Sequence, residues 1–314
     1  MIAIMVTLAI LLRCFDYQTS QKYKKTATFV YYYRYNYFMR IFFSFLLLFN
    51  LCMVALPQSL DYSGWVDKSA NHIEKNELDS AAVALRRAMS LDPANANNPV
   101  LLLNLGILQR QLGLYSDAFI SFTASLPNNP LPQVTLHNRA SLLVDMGRFD
   151  EAMEDYDALI RNFPDDVEAY YRRGILHLEN HDRQKAEADF NSSNEIDPDN
   201  MFTKLSKGLI YKLDDNWEAA EKIYTDLINT GKYTDMSFYM NRAECYVNMD
   251  QIFKASADLR SLGDTQRDNP YFYFLRGRVR LGQYDKTAAE ADFIRARELG
   301  YDEDIVKEWL KKTE

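Results

Sequence analysis

Cysteine and histidine are scarce, with three and four residues among 314. Three cysteines cannot build a disulfide framework, and four histidines leave little material for a metal centre or a histidine base. Glycine (11) and proline (9) are also few. That excludes collagen-like sequence and an all-β architecture stitched by many tight turns, and it favours long helices with few interruptions. An excess of positive charge is missing too: 36 basic against 44 acidic residues leave a net charge of −8, so no nucleic-acid partner is expected. There is no glycine-rich phosphate loop, no nucleophile elbow and no paired zinc-ligand cysteines. The chain is therefore not expected to be an enzyme, and no cofactor is implied. What is present is ordinary globular composition, 47% hydrophobic and 25% charged, which argues for packed domains over disorder.

The first 55 residues differ from the rest. They carry one acid, Asp16, against Arg13, Lys22, Lys24, Lys25, Arg34 and Arg40, and without them the chain stands at −13. Met39 and Arg40 precede an apolar run from Ile41 to Phe49, and small Ala55 closes the segment. A basic start, an apolar core and a small residue at the cut describe a signal peptide over 39–55, cleaved after Ala55, although Met53 stands where a small residue is usual. Retention as an N-terminal membrane anchor is the rival reading, but Asn50 interrupts a run shorter than the roughly 20 residues needed to span. Lipid attachment at Cys52 is a weaker alternative, because Leu51 precedes it. Residues 1–38 are rich in Tyr, Ile and Lys, which AT-rich codons specify, and are read as a misassigned start or an extension. Residues 56–61 form a linker. Export to a periplasm or cell envelope follows as the expected localisation.

Beyond the leader the chain repeats. Alanines recur at 81, 118, 152, 186, 220, 255 and 289, in steps of 34 to 37 residues. Four residues after each stands a bulky side chain: Leu85, Phe122, Tyr156, Phe190, Tyr224, Leu259 or Phe293. Twelve before stands a small one: Ser69, Gly106, Ala140, Gly174, Gly208, Ala243 or Gly277. Small residues at two fixed points with a bulky one a turn later describe two helices in close approach, one hairpin per repeat. Pro93, Pro130, Pro164 and Pro198 end second helices, and Gly113 and Gly147 sit in the turn between helices. In the seventh repeat this turn, between Gly282 and Thr287, reads as displaced by two residues.

The period of 34, with Trp65, Ala81, Ala88 and Pro93 in the first unit and Gly106, Ala118, Phe122 and Pro130 in the second, resembles the tetratricopeptide repeat, of a bacterial exported type. The resemblance implies an all-α, right-handed α-solenoid of about seven helical hairpins over 62–303, with a capping helix over 304–314. Within that helix, Ile305 and Trp309 are expected on the buried face. Arg139, Arg173, Arg242 and Arg276 each precede the small residue of a first helix, and Asp155, Asp189, Asp258 and Asp292 follow sixteen residues later. Units lacking one lack the other, which predicts ion pairs inside the hairpin and fits pairing to the preceding unit less well.

The resemblance also implies a groove lined by first helices that holds a peptide or partner helix. Positions two, five, six and nine of each unit place His137, Tyr171, Arg172, Phe202, Leu205, Met240, Asn241, Glu244, Tyr271, Phe274 and Arg278 there. These suit an amphipathic or extended hydrophobic segment. The lysine and asparagine set that grips a terminal carboxylate in co-chaperone repeats is absent: Asn104, Asn138 and Asn241 occupy the middle position without the flanking residues. The expected function is a non-catalytic protein-interaction scaffold, with a membrane-tethered envelope assembly factor as the alternative. A metal-dependent hydrolase is the reading from a different class, because His177 and His181, four apart, would share one face of a continuous helix. Cys245 lies among packing residues and reads as a small core hydrophobe.

Overall fold

A computed structural model describes residues 60–232, 236–266 and 268–314. The expectations about the start, the signal segment and Cys52 lie outside the described residues. Backbone contacts divide the chain into residues 1–63 and 64–314, and the second unit carries the fold described below. Among the described residues there are fifteen α-helices and no strand.

Fourteen of the helices form seven hairpins: α1 (Tyr62–Glu74) with α2 (Leu78–Leu91), α3 (Asn98–Gln111) with α4 (Tyr115–Ser125), α5 (Pro132–Asp145) with α6 (Phe149–Asn162), α7 (Val167–Glu179) with α8 (Arg183–Ile196), α9 (Met201–Leu213) with α10 (Trp217–Asn229), α11 (Ser237–Asn248) with α12 (Ile252–Leu262), and α13 (Pro270–Gly282) with α14 (Lys286–Glu298). A last helix, α15 (Glu303–Leu310), follows. The chain is thus an all-α repeat solenoid.

The repeat alanines explain why the hairpins close. All seven are fully buried, and the bulky residues four positions later are at most 5% exposed. Where the small residue of the first helix is glycine, the partner ring occupies the space of the missing Cβ: one added at Gly106 would stand 2.6 Å from the Phe122 ring, and one at Gly277 2.6 Å from the Phe293 ring. Ser69 fills the same role in the first hairpin and donates from its hydroxyl to the Ala81 carbonyl at 3.1 Å. Dispersion contacts at this closeness exist only because two backbones approach without an intervening side chain.

Between the two helices of each hairpin, the residue five before the alanine turns the chain with φ between +55° and +74°. It is glycine in two units, Gly113 and Gly147, and otherwise Asn76, His181, Asp215, Asp250 or Tyr284. The seventh turn is therefore in register, not displaced: Tyr284 takes the left-handed position, and Gly282 belongs to the helix before it. Second helices stop two residues before Pro93, Pro164 and Pro198, whereas α4 stops at Ser125, five residues before Pro130.

At the C-terminal end, α15 packs on α13 and α14 as the first helix of a further unit would. Val306 is fully buried beside Phe274, Phe293 and Ala296, with Tyr301, Trp309 and Leu310 packed around them. Ile305, expected on the buried face, is 42% exposed. The contact face of α15 is set by Val306 and Trp309, three residues apart on one side of the helix.

Candidate functional site

The four Arg and Asp pairs tie the two helices of their own hairpins in the same bidentate geometry. Arg139 Nε donates to Asp155 Oδ2 at 2.9 Å and Nη2 to Oδ1 at 2.6 Å. Arg173 meets Asp189 at 3.0 and 2.6 Å, Arg242 meets Asp258 at 2.8 and 2.7 Å, and Arg276 meets Asp292 at 2.9 and 2.7 Å. The carboxylates are buried, which accounts for the need for both donors. These hydrogen bonds raise the pKa values of Arg173, Arg242 and Arg276 above the usual guanidinium range. The preceding unit takes part as well, which the spacing did not suggest: the third nitrogen, Nη1, of Arg139, Arg173 and Arg242 donates to Thr123, Asp157 and Thr225.

The residues expected in the groove separate into two groups. Tyr171 and Phe202, on α7 and α9, are half-buried with ring centroids 5.5 Å apart, and the Arg172 guanidinium lies 5.8 Å from the Phe202 ring. Arg172 also donates to Glu168 at 2.8 Å, and Leu205, on α9, packs partly buried against the cluster of Ala220, Tyr224 and Phe238. Next along the row, Lys212 donates to Asn241 Oδ1 at 2.9 Å and pairs with Glu244, linking α9 to α11. His137, on α5, bonds through Nε2 to Asp166 Oδ2 at 2.7 Å. Burial raises the pKa of the Asp166 carboxyl, but hydrogen bonds from His137, Gln133 and the Ala169 amide outweigh it and hold the group below its ordinary value.

The second group is covered. Phe274 and Met240, expected to line the groove, are 5% and 9% exposed and belong to the core. Phe274 stacks on Tyr301 at 4.4 Å and meets Trp309 edge-on at 5.9 Å, because α15 closes over this part of α13. Met240 packs among Tyr246, Phe272 and Leu275. Tyr271 stacks on Tyr301 at 6.1 Å, and burial, reinforced by the Glu244 carboxylate, drives its hydroxyl pKa up. Arg278 lies 4.9 Å from the Trp309 ring and donates to Asn248 at 2.9 Å. Burial holds its pKa below the usual guanidinium value. Tyr301 and Lys212 went unread in the sequence, since no repeat position marks them, and Glu244 was read as a groove residue without its lysine partner.

The histidine pair does not form a helical face. Helix α7 ends at Glu179, and His181 sits in the turn with φ +59°. His177 instead points toward Asp189, 3.8 Å away. Among the described residues, no three His, Cys, Asp or Glu side chains gather as metal ligands. Cys245 is fully buried, and burial pushes its thiol up to about 12, so little nucleophilic thiolate forms at neutral pH.

Stacked hairpins with a row of half-exposed first-helix side chains define a repeat protein built to present surface. A family model described as tetratricopeptide repeat matches residues 137–200. Among solved structures, a tetratricopeptide repeat protein from Parabacteroides merdae is 34% identical, covering 80% of this chain and 98% of its own, with a TM-score of 0.61. The chain belongs to the tetratricopeptide repeat family. The APC/C hetero-tetramer Cut9-Hcn1 shares the fold at 17% identity, over 82% of this chain and 49% of that one, with a TM-score of 0.63. The human DnaJ homolog subfamily C member 3 is 23% identical over 208 residues, 60% of this chain and 40% of that protein; the chicken form is 23% identical over 195 residues, 57% and 38%. The chain thus spans about 40% of the length of these curated relatives.

Proposed function

We propose that this chain is a non-catalytic protein-interaction scaffold that holds a peptide or partner helix along the first helices, from His137 on α5 to Glu244 on α11. The observation that carries the reading is the half-exposed Tyr171 and Phe202 pair with Arg172 beside it, on neighbouring first helices. Two rings and a guanidinium give an apolar anchor with a polar edge, the composition enriched at protein interfaces. An amphipathic helix or an extended apolar segment fits this row better than an acidic one, because Glu168 and Lys212 already satisfy much of the local charge. The surface is shorter than the repeat count suggests, since α15 covers Phe274.

A photo-crosslinking side chain placed at Phe202 in the full chain tests this in the producing cell. A discrete crosslinked protein from position 202, absent from position 83 on the second helix α2 and lost in Tyr171→Ala, supports the reading. Equal crosslinking from both positions rejects it. Export through 39–55 is part of the same proposal, with mature protein beginning at Leu56. A membrane tether is its second form. No described helix is long and apolar enough to cross a membrane, so a tether would use the apolar run Ile41 to Leu56. N-terminal sequencing after cell fractionation separates the two.

A further inference from the structure

On the side of α13 away from Tyr271 and Phe274 lies a cleft between α12 and α13, about 390 Å³ in volume. Its floor is apolar, made by Leu259, Phe272 and Val279. Its rim carries three guanidinium groups, Arg260, Arg276 and Arg280, with Ser256 and Gln283. In a chain of net charge −8 this local gathering of cations needs an explanation.

The repeat supplies one. In three other units the residue five after the repeat alanine accepts a hydrogen bond from Nη1 of the next unit's arginine: Thr123 from Arg139 at 3.2 Å, Asp157 from Arg173 at 2.7 Å and Thr225 from Arg242 at 3.1 Å. For Arg276 the same register position holds Arg260, a donor where the others have an acceptor. Arg276 uses Nε and Nη2 on Asp292, and among the described residues no acceptor meets its Nη1. Arg280 shares Asp292, bonding through Nη1 at 2.9 Å, so one carboxylate serves two guanidinium groups. The Arg260 Nε donates to the Ser256 carbonyl at 3.2 Å.

The space lies beside the C-terminal end of α12. This helix ends at Leu262, seven residues after its alanine, as early as α4 does, where α6 and α8 run ten, and Gly263 breaks it at φ +51°. Gly263 opens the 3-10 turn Gly263–Gln266 and lines the cleft.

We propose that this cleft binds a free small organic anion, a phosphate monoester or carboxylate. Its charged head takes the place of the missing acceptor between Arg260, Arg276 and Arg280, and its apolar body lies on Leu259, Phe272 and Val279. Guanidinium forks match both head groups, and the volume falls at the small end of ligand pockets. The Arg276 guanidinium already sits 5.1 Å from the Phe272 ring, placing a cation and an apolar face on one ligand-sized surface.

The test is calorimetric titration of the full-length protein with phenyl phosphate, inorganic phosphate, benzyl alcohol and a blocked phosphotyrosine tripeptide at low ionic strength. Arg260→Thr restores the acceptor type found in two other units, and Arg260→Gln removes the charge and the guanidinium fork while keeping a polar side chain; residue 260 is exposed, so both variants are expected to keep the fold. Saturable binding of phenyl phosphate is expected, weakened at least about tenfold in either variant and falling with added salt. Inorganic phosphate and benzyl alcohol are each expected to bind more weakly. Absence of saturable binding to the wild type up to ~5 mM phenyl phosphate, or unchanged binding in both variants, overturns the proposal. So does tighter binding of the tripeptide, which would assign the anion to a polypeptide partner.

Discussion

At the scale of single residues, each buried aspartate among the described residues meets at least two donors. Asp155 is 4% exposed and takes both its strong bonds from Arg139. Arg139→Met should therefore cost about 3 kcal/mol in urea unfolding, while Arg139→Met/Asp155→Leu should lose much less than the two single changes together, because no orphaned carboxylate remains. The pair was legible in the sequence because both partners sit at fixed repeat positions. His137 and Asp166 were not, since they join two units and no repeated register links them. The Asp166 carboxyl is held below its ordinary value in the folded state. Its ionised form therefore stabilises the fold above the unfolded pKa of about 3.9, and that contribution is lost as pH falls through the lower, folded value. In His137→Leu the stability deficit against wild type is expected to be full at pH 7 and to shrink below about pH 4, measured as the difference in urea midpoints.

At the scale of elements, the turn between helices shows what a sequence pattern conveys and what it hides. Glycine at 113 and 147 signals positive φ directly, but an exposed polar or aromatic residue can hold the same conformation at a strain cost. Tyr284 does so with φ +64° and 93% exposure, so its side chain contributes little packing in return. Tyr284→Gly is expected to raise stability by about 0.5–1 kcal/mol, the left-handed strain less the entropy of glycine, read as an increase in Tm. Gly282 drew the expected turn two residues early; in the fold its neighbour is Ile252, whose side chain would lie 2.8 Å from an added Cβ.

At the scale of the whole repeat array, each hairpin buries its apolar face against the next, so the last one depends on α15. Val306 is fully buried and Trp309 meets both Phe274 and Phe293 at 5.9 Å. Removing residues 303–314 exposes these rings. Hydrogen exchange is expected to speed up in α13 and α14 while α3 to α6 stay protected, because contacts in a repeat array are local. Trp309→Ala should give a weaker form of the same gradient. Uniform loss of protection along the chain would mean that the array unfolds as one unit.

The period of the chain, read without coordinates, determined the hairpins, their number and the helix pairs that touch, because small and bulky residues recur at distances only two packed helices can satisfy. Only the tertiary structure decided which first-helix residues remain accessible, because that depends on what packs beside each unit. Tyr171 and Phe202 keep one side open, while Phe274, at an equivalent position, is sealed by α15. The Arg260 cleft likewise lies between the end of one helix and its neighbour, a relation between elements that no single repeat contains.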